Sequence, residues 1–347
     1  MARKVAITGA SGFIGTALVR HFVSLGDTVY ATDRLEPIAP LGAASFVVAD
    51  LGNVAALSHA LRDADIVLHM AAIPSIARAQ DADYESANVV GTANVMDLAL
   101  ELGAKKIIHM SSSTVYGIPS SSPIDEDAPL EPGCAYSRSK LRAEHVARGY
   151  TAQGLDVTII RPRVVVGPGR AGIFGLLFGF MRLGLPVPLV GGGNNLFQFT
   201  SIDDLVRVCE TVSKLEHEGG KLRIYNIGSD VERSLRMDLE ELLDVSGSRS
   251  RLVAVPSRPV RRLMQTLEIV NANPLVEEQY RIADVDFVLS TDRAKREIAF
   301  SPIHRNCDGL IAAWHWWMQQ GGSGWADIAR WWKPTQQNAL QKRPGRE

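Results

Sequence analysis

Tyr136 and Lys140 are the side chains in this sequence with the clearest potential for proton transfer. Residues 136–151 show a helical pattern, on which a spacing of four places both side chains on one face. A neighbouring ammonium group favours the phenolate and lowers the pKa of a tyrosine, so that the phenol works as an acid and a base near neutral pH. Such a pair also occurs by chance, and it indicates catalysis only together with other functional residues.

Hydroxyl side chains follow the fifth predicted strand, Lys106–Met110. In a doubly wound α/β sheet, ligands bind outside the carboxyl ends of the strands. A hydroxyl group at this place can hydrogen-bond to the oxygen atom of a reacting alcohol or ketone. Together with Tyr136, the candidate substrate contacts are therefore Ser112, Ser113 and Thr114.

A glycine-rich turn directly after the first predicted strand is the strongest local signal for a bound phosphate. Gly9 permits a tight turn, Gly12 lets the backbone approach a pyrophosphate, and Gly15 allows close packing of the next helix. The start of that helix, with Phe13 and Ile14, offers free N–H groups and the positive end of a dipole. A strand–helix turn without any ligand is the alternative.

Acidic residues follow the second and third predicted strands. A carboxylate at Asp33 would accept hydrogen bonds from ribose hydroxyls and repel a 2′-phosphate, which favours NAD over NADP. Arg34 comes next and can pair with a 2′-phosphate or stack on adenine. Asp50 and Leu51 are candidates for the adenine edge, and a helix cap at Asp50 is an equal alternative.

The first half of the chain alternates strand and helix patterns, which is typical of a parallel sheet. Its strands are short and apolar on both faces, as in sheets covered by helices on each side. We therefore predict an α/β fold, a Rossmann-type doubly wound parallel sheet with a smaller C-terminal substrate-binding lobe. The predicted strands are Lys4–Thr8, Thr28–Asp33, Ser45–Ala49, Ile66–Met70, Lys106–Met110 and Val157–Arg161, and the helices include Gly12–Leu25, Val54–Arg62, Asn88–Leu102 and Tyr136–Thr151.

The pattern loosens after Arg161, because Gly and Pro interrupt residues 167–193. Later strands are predicted at Phe197–Ile202, Arg223–Ile227 and Leu252–Val255. The predicted domains are an NAD-binding Rossmann domain of residues 1–165 with late elements from about 197–230, a substrate-binding lobe of residues 166–196 and 231–330, and a disordered tail of residues 333–347.

The composition excludes several classes of protein. The chain has 347 residues, of which 46% are hydrophobic and 22% charged, so disorder throughout and coiled coil are excluded. A net charge of −1 argues against a nucleic-acid binder. Three scattered cysteines fit neither disulfides nor zinc, so we predict no metal site and a reducing, cytoplasmic location. Arg182 and two prolines interrupt the apolar stretch Ala171–Val190, and no membrane span is predicted.

Further motifs accompany these residues in the order of one family, namely His69-Met70-Ala71-Ala72, Asn88, Val115-Tyr116-Gly117, Arg161-Pro162 and Asp203-Asp204. From about residue 3 to about residue 320, the chain resembles an extended short-chain dehydrogenase/reductase of the NAD-dependent epimerase/dehydratase group, which acts on nucleotide sugars. The resemblance implies NAD as cofactor, a nucleotide sugar as substrate, and a homodimer paired through the helix that carries residues 97–102.

The resemblance also implies the roles of individual residues. Tyr136 removes the hydroxyl proton of the substrate, Ser112 hydrogen-bonds that oxygen, and Lys140 lowers the pKa of Tyr136 and holds the nicotinamide ribose, while a hydride passes to nicotinamide. Asn195 joins the substrate contacts. The implied cofactor-binding residues are Gly9, Gly12, Phe13, Ile14, Gly15, Asp33, Arg34, Asp50, Leu51, Met70, Ala71, Ala72, Asn88, Tyr136, Lys140, Pro162 and Val165.

The type of reaction is predicted from departures within these motifs. Family dehydratases carry an acid in the pair after the catalytic Ser or Thr, whereas this chain has Ser113 and Thr114, so an epimerase is favoured. Val164 and Phe197 stand where many sugar-nucleotide epimerases have Asn and Arg, which keeps open a dehydrogenase or reductase of another alcohol or ketone. A sugar-nucleotide dehydratase is the other alternative, disfavoured by the missing acid. A catalytically silent NAD-binding scaffold is disfavoured by the complete Ser, Tyr and Lys set.

Three other features receive structural interpretations or remain open. His69 ends an apolar strand and is expected to be structural. Trp314 and Trp317 lie on one face of a predicted helix and are expected in the core. Residues 191–195 are either a substrate loop or a surface turn.

Overall fold

A large parallel sheet forms the centre of the protein. The computed structural model describes residues 2–77, 79–269, 280–322 and 324. The strands of the large sheet are β1 (Lys4–Thr8), β2 (Thr28–Asp33), β3 (Ser45–Val48), β4 (Ile66–His69), β5 (Lys106–Met110), β6 (Asp156–Pro162) and β10 (Leu222–Ile227). Their spatial order is β10-β6-β5-β4-β1-β2-β3, and every neighbouring pair is parallel. The predicted α/β fold class with a doubly wound parallel sheet is confirmed.

Two small parallel sheets lie outside the large one. They consist of β7 (Val164–Val166) with β9 (Phe199–Ser201), and of β8 (Val187–Val190) with β11 (Leu252–Val255). Each pair joins segments that are far apart in the sequence, so neither pairing has a local sequence signal.

Some of the helices cover the two faces of the large sheet, and others pack around the small sheets. They are α1 (Phe13–Ser24), α2 (Val54–Leu61), α3 (Asp81–Tyr84), α4 (Gly91–Glu101), α5 (Ala135–Gly149), α6 (Phe174–Leu183), α7 (Ile202–Lys214), α8 (Leu235–Ser246), α9 (Ser257–Ile269), α10 (Asp292–Ile298) and α11 (Asp308–Gln319). A π-helix at Glu85–Val90 joins α3 to α4, and a 3₁₀ helix at Ser113–Tyr116 follows β5.

The alternation of strand side chains creates two cores. In β1, Val5 and Ile7 face α1 and α7, whereas Ala6 faces the side of α2, α4 and α5. Phe22 and Leu57, which are fully buried, belong to the first and second core respectively. Burying a side chain of this size stabilises the fold by about 2 kcal/mol. The two cores hold the carboxyl ends of the strands in fixed positions relative to the helices.

A third core joins α6, α8 and α11 to the small β7–β9 sheet. Trp314 and Trp317 stack with ring centroids 5.5 Å apart, and Phe178 packs against both rings. The core position predicted for these two tryptophans is therefore confirmed. Within the described ranges, no helix has both the length and the apolar character needed to cross a membrane. The predicted disordered tail, residues 333–347, lies outside the described residues.

Several predicted element boundaries were wrong. The helix predicted at Asn88–Leu102 is preceded by α3 and by the π-helix, so the helical segment begins at Asp81. A π-turn inserts an extra residue and breaks the 3.6-residue periodicity on which the prediction rested. The strand predicted at Phe197–Ile202 shortens to β9 because Ser201 caps α7, its hydroxyl accepting from the Asp203 backbone N–H. β7 and β8, in the Gly- and Pro-rich stretch, were not predicted.

Candidate active site

The glycine turn between β1 and α1 has a shape that only glycine allows. Gly9 has a φ of 69°, and a β-carbon there would lie 2.6 Å from the Ala71 backbone nitrogen. A β-carbon on Gly15 would overlap the Gly9 carbonyl oxygen. Gly12 is the N-cap of α1, with no side-chain cap, and its N–H donates to Gly9 O at 3.0 Å. The first turn of α1, with Phe13 and Ile14, therefore keeps backbone N–H groups available for an anion.

Asp33 lies beside this turn at the end of β2. One carboxylate oxygen accepts from Ser11 N at 3.1 Å and the other from Leu35 N at 3.2 Å. A carboxylate oxygen has a second lone pair, so each can still accept a ribose hydroxyl. Arg34 is exposed. The turn and Asp33 together fit the pyrophosphate and the ribose of a dinucleotide.

Asp50 and Leu51 lie in the turn between β3 and α2. Asp50 accepts from Gly52 N at 2.9 Å, whereas the N-cap of α2 is Asn53, whose side chain accepts from Ala56 N. The alternative of a helix cap at Asp50 is therefore wrong. Leu51 is half-buried, and a β-carbon on Gly91 would lie 2.7 Å from its Cδ1.

The segment after β4 lies against the glycine turn. Met70 N donates to Thr8 O, and Ala71 N donates to the Thr8 hydroxyl at 3.3 Å. Ala72 follows and is half-buried. The buried Asn88, in the π-helix, holds this segment by accepting from Ile73 N at 2.7 Å and donating to Ile73 O at 3.2 Å.

The same amide links this segment to the helix that carries the tyrosine and lysine. Asn88 Nδ2 also donates to the Ser139 hydroxyl at 2.9 Å. Both amide hydrogens of Asn88 are thereby used within the protein. Its contribution to a cofactor site is to fix the backbone of residues 71–73 beside α5.

Lys140 is buried below the carboxyl end of β5. Lys140 is only 3% exposed, and its Nζ donates to Met110 O at 2.5 Å. Burial lowers the pKa of Lys140 to about 8, although the Glu144 carboxylate acts in the opposite direction. A lysine with this pKa is still mostly protonated at pH 7 and can stabilise a nearby anion.

Tyr136 lies one turn before Lys140 and is half-buried. Its ring is 6.0 Å from that of Tyr84, in an edge-to-face arrangement. Helix α5 packs against the 3₁₀ helix that begins after Ser112. The structure thus brings Ser112, Tyr136 and Lys140 to one end of β5.

The serine run forms a tight turn at this place. The Ser112 hydroxyl accepts from the Thr114 N–H at 3.2 Å and lies 3.0 Å from the Thr114 hydroxyl. Ser113 is buried, whereas Ser112 and Thr114 are half-exposed. Of the three predicted substrate contacts in this run, Ser112 and Thr114 are therefore the accessible ones.

Two histidines of the large sheet lie under Lys140. His69 is hydrogen-bonded to the Thr8 and Thr92 hydroxyls at 2.8 and 3.0 Å, in agreement with a structural role. Burial, reinforced by Lys140, lowers the pKa of His69 to about 3, and burial likewise lowers the pKa of His109. Both rings are neutral at physiological pH.

A buried charged network next to the serine run was not predicted. The Glu144 carboxylate accepts from Arg161 Nε at 2.9 Å and from Arg161 Nη2 at 2.7 Å, and both side chains are fully buried. Ser111 donates to Glu144 at 2.5 Å, and Arg161 donates to the Tyr116 hydroxyl at 2.7 Å. The spacing of Lys140 and Glu144 on one helix was the available signal.

Arg170 is a second residue that was not predicted. It lies in the loop after β7, where Gly169 reaches the turn: a β-carbon on Gly169 would lie 3.3 Å from the Phe13 ring. Burial lowers the pKa of Arg170, and the nearby Tyr136 phenol opposes that shift. A cationic side chain therefore lies near enough to Tyr136 for the two groups to interact electrostatically.

The family of the protein follows from comparison with known sequences. The pattern of the NAD dependent epimerase/dehydratase family matches residues 5–228. The chain belongs to this family. The match includes the glycine turn, the serine run and the Tyr136 helix, and it confirms the resemblance. The family uses NAD, and the backbone cradle at Gly9–Gly15 with Asp33 fits that dinucleotide.

Individual family members show how wide the range of activities is. The UDP-glucose 4-epimerase of Mycolicibacterium smegmatis is 30% identical over an alignment of 252 positions, which covers 67% of this chain and 79% of that protein. DesIV, a dTDP-glucose 4,6-dehydratase from Streptomyces venezuelae crystallised with NAD, is 27% identical with a TM-score of 0.74, covering 96% of this chain and 100% of DesIV. The UDP-glucuronic acid 4-epimerase of Bacillus cereus, in complex with UDP-glucuronic acid and NAD, is 25% identical with a TM-score of 0.74, covering 91% and 99%.

Phe197, Val164 and Asn195, three residues that the sequence analysis singled out, make contacts within the protein. Phe197 packs against Arg163, whose guanidinium carbon lies 4.7 Å from the centroid of the Phe197 ring and 3.9 Å from that of Phe287. Val164 packs into the third core. Asn195 donates to Val285 O at 3.1 Å, and its Oδ1 is buried without a hydrogen bond to any described residue.

The remaining predicted cofactor residues lie at the ends of two strands. Pro162 is buried at the end of β6, and Val165 is half-buried in β7. At these positions beside the strand ends, the two side chains would contact a ligand through apolar packing and not through hydrogen bonds.

Proposed function

We propose that this family member is a nucleotide-sugar epimerase that works through a transient keto sugar. The observation that carries the proposal is the turn after β5, where the two residues following Ser112 are Ser113 and Thr114 and neither has a carboxyl group. Expelling water from a neighbouring carbon needs general acid and base catalysis. Without an acid in this turn, the simplest fate of a ketone is to be reduced again.

The proton transfers are assigned to Tyr136 and Lys140. The Tyr136 phenolate takes the proton from the sugar hydroxyl, and the same group returns it after the ketone has rotated. Lys140, protonated below its pKa of about 8, stabilises the phenolate and is anchored to Met110 O. The Ser112 hydroxyl donates to the reacting oxygen and so holds it near Tyr136.

The cofactor cradle supports a redox-neutral cycle. When bound, NAD supplies the hydride acceptor of the first half-reaction and the hydride donor of the second. The turn at Gly9, Gly12 and Gly15 would hold its pyrophosphate, and Asp33 would accept from its adenosine ribose. Asn88 keeps residues 71–73 in place against the turn.

The charge near Tyr136 supports an anionic substrate. Arg170 lies beside the tyrosine, and a nucleotide diphosphate or an acidic sugar provides the negative charge that a guanidinium binds best. Two of the related proteins named above act on UDP-sugars. Their likeness supports this substrate class for the present chain.

An isotope experiment separates the candidate reactions. The purified protein is incubated in deuterated water with UDP-glucose, UDP-glucuronate and dTDP-glucose in turn, and the products are identified by NMR. We expect an epimer of at least one sugar, with no solvent deuterium on carbon and no net change in NADH. The Tyr136→Phe variant is the matched control and should give no epimer.

Other products would overturn the proposal. Stoichiometric NADH release would make the protein a dehydrogenase. A 4-keto-6-deoxy sugar carrying solvent deuterium would make it a dehydratase with an acid elsewhere in the site. Turnover of an apolar ketone, with none of the three nucleotide sugars accepted, would favour a reductase, for which the apolar Val164 and Phe197 are the supporting observation.

A further inference from the structure

Ser139 joins the helix of Tyr136 to a neighbouring segment of the chain through its hydroxyl group. This hydroxyl donates to the Tyr136 carbonyl oxygen at 2.7 Å and accepts from Asn88 Nδ2 at 2.9 Å. Ser139 and Asn88 are only 3% and 1% exposed, and a hydrogen bond inside a protein is stronger than one in water. A hydroxyl has one hydrogen to donate and lone pairs to accept, so this single group holds two segments at once.

The other end of the connection lies beside the glycine turn. Asn88 accepts from Ile73 N at 2.7 Å and donates to Ile73 O at 3.2 Å. Two residues earlier, Ala71 N donates to the hydroxyl of Thr8, the last residue of β1, at 3.3 Å. The glycine turn follows Thr8 directly. Hydrogen bonds and one short stretch of backbone therefore connect the predicted phosphate turn with the residue predicted to transfer protons.

Other contacts between the same helices are less specific. Helix α5 packs against α3 and the π-helix. Two ion pairs join them, Arg138 with Asp81 and Arg142 with Glu85, and all four side chains are more than one third exposed. Exposed ion pairs contribute little to stability, and apolar packing has no preferred direction, whereas a hydrogen bond holds only within a narrow range of distance and angle. The buried bond to Ser139 is therefore the contact that restrains α5 most closely.

We propose that Ser139 is a positioning residue, which holds Tyr136 at a set distance from a dinucleotide bound at the glycine turn. The inference rests on the proposed function only where it takes Tyr136 as the group beside the nicotinamide. A reacting group that is misplaced by about 1 Å can cost on the order of 100-fold in rate. Loss of the Ser139 hydroxyl should therefore lower kcat and leave NAD affinity unchanged, because the predicted cradle is backbone.

A titration of the Tyr136 phenol tests the inference without any substrate. The protein is labelled with tyrosine carrying carbon-13 at Cζ, and the Tyr136 resonance is assigned by its absence in Tyr136→Phe. The oxidised nicotinamide ring is positively charged, so a phenol beside it loses its proton at a lower pH. In the wild type, saturation with NAD should lower the titration midpoint by about one pH unit. In Ser139→Ala we expect less than about half of this fall, with the same NAD affinity by calorimetry.

Ser213→Ala is the matched control. Ser213 is a buried serine on α7 and makes the same two kinds of hydrogen bond. It donates to Glu210 O, three residues earlier, at 2.6 Å and accepts from Arg3 Nη1 at 2.8 Å. Helix α7 packs on the other face of the large sheet. Both alanine variants thus lose equivalent hydrogen bonds, and Ser213→Ala should show the same NAD-induced fall as the wild type.

A second pair of variants separates the hydroxyl group from packing. Threonine and valine have nearly the same shape, and only threonine has a hydroxyl. Ser139→Thr should therefore keep most of the NAD-induced fall, whereas Ser139→Val should show the reduced fall of Ser139→Ala. If Ser139→Ala does not fold, this pair decides the question. Lys140, Tyr84 and Arg170, the neighbours of Tyr136 described above, are unchanged in all these variants.

The possible outcomes separate this inference from the proposed function. The same fall in the wild type and in a folded Ser139→Ala or Ser139→Val, or an equal reduction in Ser213→Ala, overturns the positioning role. With UDP-glucose as the kinetic probe, Ser139→Ala should lower kcat at least about tenfold with little change in KM. If NAD does not shift the wild-type midpoint, this inference and the role of Tyr136 are both wrong. If NAD shifts it but no nucleotide sugar is turned over, only the proposed function fails, and the titration still decides the role of Ser139.

Discussion

The part of the site predicted to bind the cofactor and the part predicted to bind the substrate are built differently. On the cofactor side, the backbone at Gly9, Gly15 and Ala71 comes so close that side chains are excluded. On the side predicted to bind the substrate, the large side chains of Arg163 and Phe197 pack against each other. A site formed by closely packed backbone tolerates few sequences and is shared across a family. A site formed by side chains changes with each substrate. Because of this difference, the cofactor can be inferred from the sequence even when few residues are shared with known proteins, whereas the substrate cannot.

Tyr136→Phe tests the boundary between the two sides and should have the largest effect. Loss of a positioned acid and base should lower turnover of the accepted nucleotide sugar on the order of 1000-fold. NAD binding, measured by calorimetry, should change little because the cradle is backbone. Tyr84→Phe is the matched control, since its ring is 6.0 Å from that of Tyr136. Unchanged turnover in Tyr136→Phe would place the proton acceptor elsewhere.

Gly15→Ala tests the backbone-built side. The added β-carbon overlaps the Gly9 carbonyl oxygen, so the turn must shift. At an overpacking cost of about 3 kcal/mol, NAD affinity should fall on the order of 100-fold. Gly149→Ala at the end of α5 is the control, because nothing lies within 4 Å of its added carbon. Normal NAD affinity in Gly15→Ala would mean that this turn does not bind the pyrophosphate.

The fold of the cofactor side could be predicted almost entirely from the sequence. The boundaries of β1, β2 and β5 agree with the predictions because short buried apolar runs end there at glycine or polar residues. The glycine spacing likewise predicted the tight turn between β1 and α1, where a side chain on Gly9 or Gly15 would collide with nearby backbone.

The rest could not be predicted because it depends on contacts between distant segments. β7 pairs with β9, and β8 pairs with β11, although helices separate the two strands of each pair in the sequence. The contact between Glu144 and Arg161 joins a helix to a strand, and Arg170 lies in a glycine-rich loop far from Tyr136 in the sequence although the two groups interact electrostatically. Hydrophobic periodicity contains no information on which distant residues meet, so it does not predict the side-chain network of the site.

Arg170→Gln tests the side-chain-built side. A hydrogen bond to a charged group contributes about 1.5–3 kcal/mol, so kcat/KM for an accepted UDP-sugar should fall at least about tenfold. NAD affinity, measured by calorimetry, should stay within experimental error. Arg20→Gln, an exposed arginine on α1, is the control for charge removal in general. If NAD affinity falls and kcat/KM does not, Arg170 belongs to the cofactor side and not to the substrate side.

Asp33 gives the smallest expected effect and tests how strictly the cofactor side selects its ligand. Its two carboxylate oxygens are fixed by the Ser11 and Leu35 backbone N–H groups, so the charge cannot move away from a 2′-phosphate. Like charges about 4 Å apart in water repel by about 1 kcal/mol, which corresponds to about fivefold in affinity. The wild type should therefore bind NAD more tightly than NADP, and Asp33→Asn should lose about that factor of discrimination. Calorimetric titration of both dinucleotides, with the exposed Arg34→Ala as control, measures it. Tighter binding of NADP by the wild type, lost in Arg34→Ala, would instead make Arg34 the residue that selects the dinucleotide.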